Sequence, residues 1–202
     1  MRKVMTTIVC IALMLCIAMP AFAAVSGDEV KTYGTPFLIT NAGQGPGGKM
    51  ARLLVSQTGT LTLDTDYFYD SEPGAEGHGT LDDMDYSCLV VVIGSTDKGL
   101  GASGITIEDE LALLEKMVAH AKEIELPIVA VLLEKDKRSD IPTNANERCI
   151  DAICPNAEWM VVVADGNTDG RFDKLKEEYG IPLTVIDTTL DFTELAKLAF
   201  VK

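Results

Sequence analysis

Apolar residues in the second half of the chain fall into short unbroken runs, separated by longer stretches of helical period. Segments 89–93 (Leu-Val-Val-Val-Ile), 128–133, 160–163 and 183–186 are continuous and rich in branched side chains, the pattern of strands covered on both faces. Between them, 106–124 repeats apolar residues at Ile107, Leu111, Leu114, Val118 and Ala121, one stripe of an amphipathic helix. Similar spacing predicts helices over 143–153, 171–179 and 192–200. Toward the amino end, 36–40 reads as a first strand with Pro36 at its tolerated starting position, and 49–58 as a helix closed by Gly59. Segments 60–63 and 67–69 read as strand pieces, and the Gly-, Asp- and Glu-rich stretch 70–86 as the least ordered interior segment.

Repeated strand–helix units predict an α/β protein: a single three-layer domain over 35–202, with a mostly parallel sheet of five to six strands, Rossmann-like or flavodoxin-like. Residues 1–23 read as an export signal. Arg2 and Lys3 precede an uncharged apolar run over 6–19, and Ala21 and Ala23 place small residues where a signal peptidase reads. The run is shorter than the about 20 residues that a membrane span needs. Residues 24–34 read as a flexible polar tail. The expected location is therefore periplasmic or extracellular, with no membrane attachment after cleavage.

Loss of Arg2 and Lys3 with the signal takes the formal net charge from −14 to −16. Such a surface repels phosphate backbones and anionic bilayers, which excludes nucleic acid and lipid headgroups as partners. Beyond the signal stand three cysteines, Cys88, Cys149 and Cys154, an odd number that is not a disulfide framework. Buried free thiols are the leading reading. A local bridge between Cys149 and Cys154 stays open, because Pro155 biases Cys154 away from helical geometry.

In a sheet of this kind, ligands bind outside the carboxyl ends of the strands. Four polar segments leave those ends, 41–45, 94–104, 134–140 and 165–170. They supply the candidate ligand contacts: Gln44; Ser95 and Lys98 with the backbone of Gly99, Gly101 and Gly104; and Arg138 and Asp140. The glycine-rich loop 94–104 has neither Walker nor dinucleotide-binding spacing. Thr106 is the expected N-cap of the next helix, and Glu108, Asp109 and Glu110 satisfy its dipole, which argues against phosphate there. Backbone amides with Lys98 suit a carboxylate or carbonyl oxygen instead.

Asp165-Gly166-Asn167-Thr168-Asp169-Gly170 matches the first half of an EF-hand loop, making calcium the candidate cofactor and Asp165, Asn167 and Asp169 its ligands. Lys176 stands where the bidentate glutamate belongs, and an ordinary strand-to-helix turn capped by Asp169 is the competing reading. The only histidines, His78 and His120, lie away from the rim, so neither Ser95 nor Cys88 has an evident base, and catalytic zinc is disfavoured. No catalytic residue is assigned.

Gly94-Ser95 followed by Lys98-Gly99-Leu100-Gly101-Ala102 and Gly104, together with Gly43-Gln44, Ser139-Asp140, and Asn167 with Asp169-Gly170 and Phe172, resembles a family of exported bacterial α/β domains of unknown function. The likeness runs from about Thr35 to the end and implies fold and export, but no activity. The leading expectation is a soluble exported domain binding a small polar ligand. The alternatives are a hydrolase or lyase dependent on a divalent cation, and a non-catalytic module whose acidic face meets a basic protein.

Overall fold

The computed structural model describes residues 25–59, 68–69, 81–82 and 85–201; the predicted export signal and the predicted strand at 60–63 lie outside these. Seven strands form one sheet: β1 (Val25–Gly27), β2 (Leu38–Ala42), β3 (Phe68–Tyr69), β4 (Leu89–Ile93), β5 (Ile128–Leu132), β6 (Trp159–Val163) and β7 (Leu183–Ile186). Their spatial order is β1-β7-β6-β5-β4-β2-β3, with every pairing parallel except β1 on β7. Among the described residues six α-helices cover it: α1 (Gly47–Ser56), α2 (Asp97–Ala102), α3 (Ile107–Glu123), α4 (Ala145–Ile153), α5 (Arg171–Tyr179) and α6 (Phe192–Ala199). Setting β1 aside, this is the flavodoxin-like order.

Alternate residues of the central strands enter opposite cores. Leu89, Val91 and Ile93 of β4 join Leu114, Val118, Ile150 and Phe172 under α3, α4 and α5, whereas Val90 and Val92 join Leu54, Leu195 and Phe200 under α1 and α6. All five residues of β4, β5 and β6 are buried, which is why those strands appear in the sequence as continuous apolar runs. Trp159 is fully buried at the head of β6, and its indole N–H donates to Thr184 Oγ1 at 2.9 Å, so the polar end of the largest core side chain is satisfied. Cys88, Cys149 and Cys154 are free and buried. Burial pushes the Cys149 and Cys154 thiols up to about 12, and the Cys88 thiol further still.

Two segments differ from the sequence expectation. The predicted tail is docked: β1 adds an antiparallel edge strand to β7, and Tyr33 is buried against Trp159 and Phe200. Tyr33 N donates to Ala199 O at 2.6 Å and Val201 N donates to Tyr33 O at 3.0 Å. The predicted glycine loop instead contains a helix. Thr96 caps α2 by accepting from Gly99 N at 3.0 Å, which offsets the weak helix propensity of Gly99 and Gly101.

Asp28 secures the new edge strand. Its carboxylate accepts from Leu183 N at 2.8 Å and pairs with Lys176 Nζ at 2.6 Å. The hydrogen bond from Lys176, then that from Leu183, hold its carboxyl below the ordinary carboxylate value. A carboxyl depressed on folding stabilises the fold above its unfolded value of about 4 and loses that contribution as pH falls through the lowered value. Asp28→Asn is thus expected to reduce stability at neutral pH by about 1 kcal/mol, the usual worth of such a bond. The difference from the parent should shrink in urea unfolding as pH falls below about 4, and vanish once pH passes below the lowered folded-state value. A deficit that persists unchanged in acid would show that the charge contributes nothing.

Candidate functional site

The strand order turns around between β2 and β4: β2 is followed by α1 on one face of the sheet, and β4 leads through α2 to α3 on the other. The two carboxyl-end segments therefore diverge from adjacent strands. Glycine permits their close approach. Gly43 has φ +97°, and a Cβ there would lie 2.4 Å from Ser95 Cβ and 2.7 Å from Gly94 O; a Cβ on Gly45 would lie 2.4 Å from Gly94 O. Gly94 N donates to Ala42 O at 3.0 Å, carrying the β2–β4 ladder to the rim.

A buried carboxylate fastens this crossing. Glu110, in the first turn of α3, accepts from Gly43 N at 2.6 Å and from Gln44 Nε2 at 3.1 Å. Gln44 Oε1 accepts from Ser103 Oγ at 3.4 Å, and Gly99 packs beside the Gln44 carbonyl. On the far side, Ser95 N donates to Asn146 Oδ1 at 3.0 Å, at the start of α4. Within α2 the amides are committed: Leu100 N donates to Thr96 O, and Ser103 N to Gly99 O.

Glu134 reaches the same crossing from the end of β5. Its Oε1 is buried without a hydrogen-bond partner among the described residues, and it lies 3.7 Å from where a Cβ on Gly47 would stand and 3.8 Å from one on Gly94. Its Oε2 is 3.5 Å from Lys137 Nζ. The adjoining end of α1 starts at Pro46 without a side-chain cap or an acid in its first turn; Gly48 N instead donates to Asn41 Oδ1 at 2.7 Å.

Arg138 belongs to a second cluster, beyond the end of β6. Its guanidinium donates to Glu147 Oε1 and Asp169 Oδ2, each at 2.7 Å, and to Gly166 O, and lies over the Phe172 ring at 5.4 Å. Glu147 is almost wholly buried and also accepts from Ser139 N at 3.1 Å, with Arg171 Nε 3.2 Å from its other oxygen. Burial raises the Asp169 carboxyl, but hydrogen bonds from Arg138 and Arg171 N outweigh this and hold it below the usual range. In the acidic loop, Asp165 pairs with Lys135 Nζ at 2.8 Å, while Asn167 accepts from Phe172 N and donates to Asp173. Those oxygens face three separate partners, and no group of three His, Cys, Asp or Glu side chains within metal-holding distance occurs among the described residues.

The candidate ligand contacts therefore divide. Gln44, Ser95 and Gly99 meet at the β2–β4 crossing; Lys98 is exposed on α2 beside them, and Gly101 and Gly104 face open space. Arg138 is committed to carboxylates, and Asp140 is exposed on its loop. The residues not singled out from sequence are Glu110, Glu134, Asn146 and Glu147. Helical phase carries a signal for three of them: Glu110 lies three after Ile107 and four before Leu114, and Asn146 and Glu147 lie four and three before Ile150.

Two clefts occur at the opposite, amino edge, one between Asp28–Lys31 and Lys176–Pro182 and one between Tyr86 and Leu126. No helix among the described residues is long and apolar enough to cross a membrane. No curated protein and no solved structure gives a match. The family model described as "Domain of unknown function (DUF6305)" matches residues 34–200, nearly the whole described fold, and the chain belongs to that family.

Proposed function

We propose that the protein is an exported domain that binds a small polar ligand at the carboxyl edge of its sheet, over the β2–β4 crossing. One observation carries this reading. At the point where the strand order turns around, Gly43, Gly45, Gly47 and Gly94 let the two connections pack backbone to backbone, beside a buried carboxylate oxygen that has no hydrogen-bond partner among the described residues. Open α/β sheets bind ligands at such turning points, because adjacent strands send their connections to opposite faces and leave a crevice. Gln44, Ser95, Lys98 and Glu134 are the contacts within reach of it. Export is supported by the positively charged start and the short apolar run of the first 23 residues.

Gly94→Ala tests the reading. A Cβ there meets nothing closer than 3.8 Å, so stability should change by no more than about 0.5 kcal/mol. The added methyl group nevertheless stands against Glu134 Oε1, at 3.8 Å. A thermal-shift and amide chemical-shift screen against amino acids, organic acids, sugars and amines should find a class that raises the parent's melting midpoint. It should move the Gly45, Gly47 and Gly94 amides, and the response should weaken in Gly94→Ala. Responses confined to the two amino-edge clefts would refute the proposal.

A further inference from the structure

Resting on that reading of the site, we infer that the ligand presents a positively charged nitrogen, a primary ammonium or guanidinium group, which Glu134 receives. The argument starts from what the crossing lacks. Around Glu134 Oε1 stand Gly47, Gly94 and, beside Gly47, the Val92 side chain, none of which donates a hydrogen bond to it. The single described cation near the carboxylate, Lys137, stands 3.5 Å from the other oxygen. A carboxylate oxygen withdrawn from water without a hydrogen bond is costly, and a ligand N–H that supplies one removes that cost.

Charge selects in the same direction. An anion entering here meets Glu134 directly and Glu110 behind Gly43, whereas a cation is drawn both by them and by the acidic surface of the whole chain. The start of α1 would ordinarily favour an anion, but the Glu134 carboxylate already lies beside Gly47, so that preference is met from within the chain. The Glu134 side chain is 17% exposed, so its carboxylate borders the rim even though Oε1 itself is buried. A side chain at Gly94 would stand in contact with the oxygen, and one at Gly47 would meet both it and Val92.

The probes are putrescine, ethanolamine and methylguanidinium as cations, inorganic phosphate and acetate as anions, and glycerol as a neutral donor. All are used with the full-length mature chain at about 0.15 M salt, so that loose association with the acidic surface is screened. The expected result is a saturable movement of the Gly47, Gly94 and Ser95 amides with at least one cation. In Glu134→Gln the affinity should fall about tenfold or more, as loss of a charge-assisted bond implies, with the fold intact by its amide spectrum. Movement of those amides by phosphate, acetate or glycerol but not by cations overturns the inference while sparing the site. So does a response to cations that is undiminished in Glu134→Gln. If no probe of any charge moves those amides, both fall together.

Discussion

Arg138→Met should lower the unfolding free energy by about 3 kcal/mol, the lower end of the range for removing one partner of a buried ion pair. The size follows from Glu147. Its side chain is only 3% exposed, and Arg138 supplies the shorter of its two cationic contacts. Without Arg138, Glu147 retains Ser139 N and Arg171, but its Oε1 loses its one charged donor in a site closed to water. Gly166 O loses its donor and Asp169 its partner at the same time. In a chain of this length the melting midpoint should fall by roughly 6–12 °C. Adding Glu147→Leu should recover a substantial part of the loss, since replacing both members of a buried pair by apolar groups is far milder than orphaning one. Urea unfolding of the four members of this cycle measures the effect. A single-variant loss below about 1 kcal/mol, the level of an exposed pair, would remove Arg138 from its place as the clamp of this rim.

Gly43→Ala should be more damaging, at about 4 kcal/mol or above, in the tail of single-substitution effects. The backbone at Gly43 has φ +97°, which side-chain-bearing residues rarely adopt, and the new Cβ would lie 2.4 Å from Ser95 Cβ and 2.8 Å from Ser95 Cα. Neither obstacle is the end of a flexible side chain. The β2–α1 connection has to move, and Glu110 then loses the 2.6 Å bond from Gly43 N. Gly101→Ala provides the contrast. Gly101 lies within α2 with nothing near its missing Cβ, so alanine there should be neutral or stabilising by up to about 1 kcal/mol. The two thermal melts, run side by side, separate a glycine required by the crossing from one that the fold does not need. Equal midpoints would overturn the account of why the two loops can approach so closely.

What could be read from the chain beforehand follows from where its information lies. β4, β5 and β6 were legible because burial on both faces leaves no polar residue to interrupt Leu-Val-Val-Val-Ile or its counterparts. α3 was legible from its stripe together with the Thr106–Asp109 capping box. β1 was not, since Val-Ser-Gly carries no periodic signal and its pairing is with Thr184, Val185 and Ile186, far along the chain. α2 was hidden by Gly99 and Gly101, whose low propensity masks what the Thr96 cap and the buried Leu100 stabilise. At the site, Glu108, Asp109 and Glu110 look equivalent in sequence; only helical phase separates the inward Glu110 from its exposed neighbours. Glu134 gave no periodic clue at all, because its importance lies in which glycines it happens to face.

The first and last described stretches of the chain close on one another. β1 edges β7, and Tyr33 is held between the end of α6 and Val201. A ribosome must therefore release nearly the entire polypeptide before the earliest residues find their partners, and contacts so distant in sequence form slowly.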